Sequence, residues 1–282
     1  MTKEKYYTGK VILFGEYTVL FGGQALAVPY QPLRAIWSLQ HRAPDPAFVH
    51  KTSDFGVFLE QYAATHHYRF DHDRFRAELL GGLSFYSNIP IGYGCGSSGA
   101  WVVAIAERYL EGWQELSDGD LKLFFGGLES FFHGTSSGVD PFVIYKQQPV
   151  WIDGTGHTHL LEGSVLPVDW SDRFALVDSG RPRATDILVQ NFRSRMTDAR
   201  FAEQIAYLRD LHDAAIASLL RGQNIGFDLM NEISHRQYEW LDFLIPDQIR
   251  QLWVESFEHS EQRFKLCGAG GGGFFLKITY GS

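Results

Sequence analysis

The first forty residues set short apolar runs between turn residues. KVILF, a break at Gly15 and Glu16, then ALAVPY and RAIWSLQ predict strand, turn, strand. Residues 41–75 are polar, rich in His, Asp and Pro, and poorly periodic, which predicts loop or peripheral structure. From Ser97 the run SSGAWVVAIAERYLEGW is apolar on most sides until Glu107 and stops at Gly112, the pattern of a buried helix. In SDGDLKLFFGGLESFFHG the apolar positions Leu121, Phe124, Phe125, Leu128, Phe131 and Phe132 recur at threes and fours. Ser117 with Asp120 makes a capping-box start for that helix, and Gly134 a stop. Between 142 and 180, VIYK, PVWID, THLLE and FALVDSG predict strands. Helical patterns follow in FAEQIAYLRDLHDAAIASLL, FDLMNEISHRQYEWLDFL and DQIRQLWVESFEHS, and a last strand and hairpin surround KLCGAGGGGFF. No internal repeat or low-complexity linker interrupts the chain.

Composition narrows the classes of function. The 282 residues suffice for one α/β domain or two of ordinary size, and 45% apolar with 21% charged residues is a soluble globular composition. A net charge of −8 without a run of Lys or Arg argues against a nucleic-acid partner and against an anionic membrane surface. The opening stretch, interrupted by Gly15, Glu16, Gly22, Gly23 and Gln24, reads as neither a signal sequence nor a membrane span. Two cysteines, Cys95 and Cys267, make a disulfide framework improbable and a cytoplasmic setting the default. The eleven histidines are scattered and complete no metal-ligand spacing, so they read as surface residues.

Four stretches carry candidate chemistry. In IPIGYGCGSSGAW, Gly92, Gly94 and Gly96 alternate before two serines that open a helix. Small residues let backbone N–H groups converge on an anion where the helix dipole is positive, as a phosphate requires, although tight helix packing explains the glycines equally. In ESFFHGTSSGVDP, Glu129 lies at the buried edge of its helix, where a carboxylate needs a cation. Asp140 before Pro141 reads by itself as a helix cap. Lys10 and Glu16, taken alone, read as solvated surface groups. KLCGAGGGGFF places bare backbone between strands although ordering glycine is costly, so something must approach that backbone closely.

GKVILFGEYTVLFGG, PIGYGCGSSGA and KLCGAGGGGFF, in that order, resemble the three motifs of the GHMP kinases, named for galactose, homoserine, mevalonate and phosphomevalonate. The resemblance covers both ends and the middle of the chain. It implies an α+β, two-lobed GHMP kinase fold: a ribosomal protein S5 domain 2-like N-terminal domain that binds ATP, residues 1–165, and a ferredoxin-like C-terminal domain, residues 166–282. Within the family, E…HGTSSGVD and VDSGRPRATDILV (177–189) are similar to segments of the mevalonate kinases.

The resemblance implies roles. Asp140 would take the proton of the acceptor hydroxyl as it attacks the γ-phosphate of ATP, and Lys10 would hold Asp140 and the developing charge. Ser98 and Glu129 would bind Mg²⁺, while Pro90, Gly92, Gly94, Gly96, Ser97, Ser98 and Gly99 form the nucleotide loop. Glu16, Tyr17 and Thr185, with Gly270 and Gly271 of the last glycine loop, would border the acceptor. The implied reaction is ATP-dependent phosphorylation of the primary hydroxyl of mevalonate. Phosphomevalonate or a sugar is the alternative acceptor, and a binding protein of the same fold without catalysis is the third reading. A homodimer is common among such kinases. GEY stands where mevalonate kinases usually carry GEH, Ser136 replaces a proline, and Cys267 replaces a threonine.

Overall fold

The computed structural model describes residues 5–39, 46–161, 170–183, 185–259 and 261–280. Its strands and helices run in the order β1 (Tyr7–Phe14), β2 (Ala25–Leu39), α1 (Pro46–His66), β3 (Arg69–Phe70), α2 (His72–Leu80), β4 (Leu83–Ser87), α3 (Ser97–Tyr109), β5 (Leu110–Glu111), α4 (Asp118–His133) and α5 (Val139–Lys146). They continue with β6 (Val150–Ile152), β7 (Thr158–Leu160), β8 (Phe174–Asp178), α6 (Thr185–Arg195), α7 (Ala199–Leu220), α8 (Phe227–Trp240), α9 (Asp247–Phe257), β9 (Gln262–Leu266) and β10 (Phe274–Thr279). The chain divides into two compact units that interleave in sequence. The first holds residues 1–10, 29–90 and 95–147, and the second residues 11–28, 91–94 and 148–282. β1 and β2 each pass from one unit into the other.

In the first unit the later half of β2 pairs antiparallel with β4, from Ala35 opposite Ser87 to Leu39 opposite Leu83. Helices α1, α3, α4 and α5 build its core around Phe55, Phe125, Phe142 and Trp113, all fully buried. Segment 41–75, expected as loop, instead holds α1, the two-residue β3 and the start of α2 where it is described. Phe55, Leu59 and Ala63 stand four apart on α1 and are buried. Burying a large apolar side chain stabilises by about 1.5–3 kcal/mol, and Phe48, Phe58 and Tyr62 widen the stripe by ring contacts with Trp101, Phe131 and Phe124. VIYK, expected as strand, lies in α5. The cap of α5 is Gly138, at φ 72°, and not Asp140, which sits one residue inside the first turn. The start and stop expected for α4 are present: the Ser117 side chain accepts from the Asp120 N–H, and Gly134 ends the helix.

In the second unit β10 is the middle strand of an antiparallel sheet between β8 and β9. Leu266 and Phe275 are opposite one another in that sheet and buried, with Trp253 of α9 packed at right angles to the Phe275 ring. The first half of β2 pairs with β6, and β6 with β7. The strands predicted at PVWID, THLLE and FALVDSG are found as β6, β7 and β8, and the three predicted helices as α7, α8 and α9. Gln40, residues 41–45, Glu162, Ala184, Ser260 and the 165/166 boundary lie outside the described residues. Among the described residues, no helix is long and apolar enough to cross a membrane.

Candidate active site

Lys10, Ser98, Glu129 and Asp140 all belong to the first unit. Lys10 is fixed through its backbone, whose N–H donates to the Cys95 carbonyl at 3.0 Å. Its ammonium lies 2.8 Å from Asp140 Oδ1, and the two side chains differ in exposure, 3% for Lys10 against 31% for Asp140. The carboxylate therefore has its charge partner on the protein side and remains open on the other. Its place in the first turn of α5 adds the favourable end of the helix dipole. Lys10 is not the solvated surface group that it suggests when read alone.

Ser98 stands in the first turn of α3, whose cap is Gly96 at φ 81°. Ser98 Oγ donates to Glu129 Oε1 at 2.8 Å, and Ser136 Oγ donates to Glu129 Oε2 at 2.5 Å. Glu129 is 4% exposed. The buried carboxylate, expected to meet a cation, is instead met by two hydroxyl donors, one from the proposed nucleotide loop and one from the position that departs from the family pattern. Gly99 allows α3 to approach α5, because a Cβ there would lie 2.9 Å from the Pro141 nitrogen. Pro90 is half-buried, and Ser97 opens α3.

The second unit holds Gly92, Gly94, Glu16, Tyr17, Thr185, Gly270 and Gly271. Two of the unit's glycines, Gly94 and Gly268, hold left-handed φ of 72° and 83°, which favours glycine, and their bare backbone faces Arg183. A Cβ on Gly94 would fall 1.5 Å from its Nη2, and one on Gly268 would fall 2.4 Å from its Nη1. Arg183 Nη1 donates to the Cys267 carbonyl at 3.1 Å, its backbone N–H donates to the Gly92 carbonyl at 3.0 Å, and its buried Nε has no hydrogen-bond partner among the described residues. A guanidinium is thereby wedged against both glycine-rich segments, which supplies the close approach that KLCGAGGGGFF implied. Arg181 is exposed, and its Nε donates to the Gly271 carbonyl. The Gly271 N–H donates to the Leu244 carbonyl at 2.7 Å, and Gly270 has φ 63°. Thr185 is exposed at the start of α6.

Glu16 and Tyr17 are buried. Glu16 forms an ion pair with Lys265 of β9 in which both side chains are 0% exposed, and its Oε2 has no hydrogen-bond partner among the described residues. Burial pushes the Glu16 carboxyl above its ordinary range, with Lys265 opposing that shift. Tyr17 has φ 62°, a conformation that costs a non-glycine residue about 1–3 kcal/mol. It is held there from both ends: its hydroxyl donates to the Ala269 carbonyl at 2.7 Å, and its ring stacks on Phe192 with centroids 4.2 Å apart.

Two residues of this cluster escape sequence reading. His212, expected at the surface like the other histidines, is fully buried, with Nδ1 3.3 Å from both the Gly15 nitrogen and Thr18 Oγ1. Burial, with Lys265 nearby, holds its pKa well below the ordinary value. Lys265 could have been suspected, since a lysine inside the apolar strand RFKLC needs a carboxylate if both faces are covered. Both cysteines are free and buried. Among the described residues, no group of three or more His, Cys, Asp or Glu side chains could hold a metal ion.

Residues 61–147 match the family described as GHMP kinases N terminal domain. Mevalonate kinase of Bos taurus is 28% identical over 226 residues, covering 68% of this chain and 52% of that protein. The chain thus spans about half the length of the curated relative it matches. Among solved structures, mevalonate kinase of L. major in complex with R-mevalonate superposes with a TM-score of 0.63 at 18% identity, covering 100% of this chain and 88% of that one. Lactococcus lactis galactokinase complexed with galactose gives 0.66 at 14%, covering 99% and 86%. Streptococcus pneumoniae phosphomevalonate kinase in complex with phosphomevalonate and AMPPNP gives 0.58 at 18%, covering 99% and 92%. The chain has the α+β fold of the GHMP kinases and resembles that family, with mevalonate kinase as its curated match.

Proposed function

We propose that this protein is an ATP- and Mg²⁺-dependent kinase of a small-molecule alcohol, with the primary hydroxyl of mevalonate as acceptor. The observation that carries the reading is the half-open pair of Lys10 and Asp140 in the same unit as the linked Ser98 and Glu129. Asp140 accepts the hydroxyl proton while Lys10, 2.8 Å from its Oδ1, orients the carboxylate. Positioning and charge stabilisation of this kind are what phosphoryl transfer demands of a protein. Pro90, Gly92, Gly94, Gly96, Ser97, Ser98 and Gly99 bind the nucleotide. Tyr17, Thr185, Gly270, Gly271 and Glu16 shape the acceptor side, Glu16 from behind through its contact with Lys265. Residues 1–165 are read as the ATP-binding domain, within which the family match at 61–147 falls, and 166–282 as the second domain; the compact units differ from that reading by interleaving, with 11–28, 91–94 and 148–282 together.

Ser98 and Glu129 suit Mg²⁺ in donor type, because a hard cation takes oxygen ligands and is usually held by one or two carboxylates together with substrate phosphates. When bound, Mg²⁺ would neutralise charge on the β- and γ-phosphates. Ser136, by donating to the second Glu129 oxygen, fixes how that carboxylate is presented.

A second acceptor class is favoured by one observation, the buried and unpartnered Arg183 Nε, since a phosphorylated acceptor needs a further cation. Retention of Lys10, Ser98, Glu129 and Asp140 speaks against a binding protein without catalysis. Coupled ADP release with Mg²⁺-ATP decides among these readings, with mevalonate, phosphomevalonate, galactose, homoserine and no acceptor compared side by side. A rate with mevalonate far above the rest is expected. Preference for another acceptor would overturn the substrate assignment, and silence with all of them would overturn the kinase.

A further inference from the structure

A cavity of about 620 Å³ opens in the first unit, away from the residues assigned above. Its walls include Tyr7 of β1, Trp37 of β2, Arg74 of α2, Glu107 and Arg108 near the end of α3, and Tyr145 in the last turn of α5. Ser98 and Glu107 are nine residues apart on α3, so about 13 Å of helix separates this cavity from the candidate catalytic cluster. α3 and α5 carry the catalytic candidates Ser98 and Asp140 nearer their other ends, and on β1 Lys10 stands three residues from Tyr7, an odd offset that puts the two side chains on opposite faces of the strand. The cavity is thus distinct from that cluster but built on the same three elements.

Three features define what it could hold. First, its volume falls in the range of small-molecule pockets, about 300–1,000 Å³, and its walls present the rings of Tyr7, Trp37 and Tyr145. Second, cations outnumber carboxylates. Arg74 and Arg108 share the single carboxylate of Glu78 through their Nε atoms, at 3.1 and 2.6 Å, and Lys5 pairs with Glu107 at 2.5 Å. Three cations against two carboxylates leave one positive charge, and guanidinium groups beside aromatic rings favour planar anions. Third, Glu107 takes Lys5 on Oε1 and lies beside the Tyr7 hydroxyl, whose pKa burial raises and this carboxylate raises further, yet its buried Oε2 has no hydrogen-bond partner among the described residues. An orphaned carboxylate oxygen calls for an N–H or O–H donor.

We infer that this cavity is a second small-molecule site, for a planar aromatic anion that carries an N–H or O–H donor. The ring packs on Trp37 and Tyr145, the anionic group meets Arg74 and Arg108, and the donor reaches Glu107 Oε2. The inference does not depend on the acceptor or on kinase activity.

8-Anilinonaphthalene-1-sulfonate has all three features, an aromatic body, a secondary amine and a sulfonate, and fluoresces when bound. Titration of the full chain should show one saturable equivalent that persists in saturating AMPPNP with Mg²⁺. Arg74→Gln and Glu107→Gln should each weaken it about tenfold, the scale of one lost charge-assisted hydrogen bond. Arg209→Gln, a surface change in the other unit, should leave it unaltered. Arg74 is on an exposed helix face, so its variant remains informative if Glu107→Gln folds poorly; circular dichroism checks both. Non-saturable binding, displacement by AMPPNP, or undiminished binding in Arg74→Gln would overturn the inference.

Discussion

Each unit contains a buried lysine paired with a carboxylate, and the two pairs differ in one respect. Lys10 and Asp140 leave the carboxylate 31% exposed, whereas Lys265 and Glu16 are both 0% exposed. Taking two charges out of water costs several kcal/mol per ion, which their attraction repays only with good geometry. The carboxylate of the open pair can meet a substrate hydroxyl while Lys10 holds it from the protein side. The sealed pair has no route to a ligand as it stands; it ties the turn after β1 to β9, next to the glycine loop whose Ala269 carbonyl holds Tyr17. The same two residue types serve chemistry in one unit and architecture in the other, and exposure of the carboxylate separates the roles.

Lys265→Met breaks the sealed pair and leaves Glu16 buried without its cation. Loss of one partner of a buried ion pair costs about 3–5 kcal/mol, which urea denaturation would register as a large fall in midpoint. A cost below about 1 kcal/mol would mean that Glu16 finds water, and the contrast between the pairs would fail. Adding Glu16→Gln to Lys265→Met should recover part of the loss.

His212 gives the sealed cluster a pH signature. Its folded pKa is depressed, so below 6.5 the unfolded chain binds a proton that the folded chain refuses. Stability should fall as pH drops below about 6.5, by at most about 1.4 kcal/mol per pH unit from this group. Urea midpoints of the native protein and His212→Gln between pH 7.5 and 5.5 check it: the variant should show the shallower slope, and equal slopes would remove His212 from the account.

Tyr17→Phe has the smallest expected effect. It removes the hydrogen bond to the Ala269 carbonyl but keeps the stack on Phe192, at a cost of about 1 kcal/mol. Thermal unfolding should show a drop of a few degrees. No change would show that the stack alone holds the turn.

These contrasts also mark what the sequence could reveal. The three glycine-bearing motifs and the spacing from Glu129 to Asp140 located the open cluster, because those residues are tied to short local patterns. Ser98 and Glu129, which the family resemblance names as Mg²⁺ ligands, are hydrogen-bonded to each other. The sealed cluster was invisible, since Glu16 and Lys265 are 249 positions apart and nothing local to either betrays the other. His212 likewise lies in a regular amphipathic helix, and its burial depends on what covers α7. Helix α1 was missed because Phe55, Leu59 and Ala63, with Phe48, Phe58 and Tyr62 beside them, are interspersed with polar residues, and VIYK was misread because its β-branched residues are outweighed by packing in α5. Arg183 belongs to the segment VDSGRPRATDILV, but its direction is visible only where Gly94 and Gly268 leave room for it.

The most direct measurement is ADP release by Asp140→Asn with the preferred acceptor, on protein whose urea midpoint is recorded alongside. The amide keeps an oxygen for Lys10 but cannot take the hydroxyl proton. Turnover is expected to fall by about 10²–10⁴-fold, the range for a lost general base, with a much smaller loss of stability than Lys265→Met produces. Turnover near that of the native protein, in a folded variant, would contradict the assignment of the open pair to chemistry.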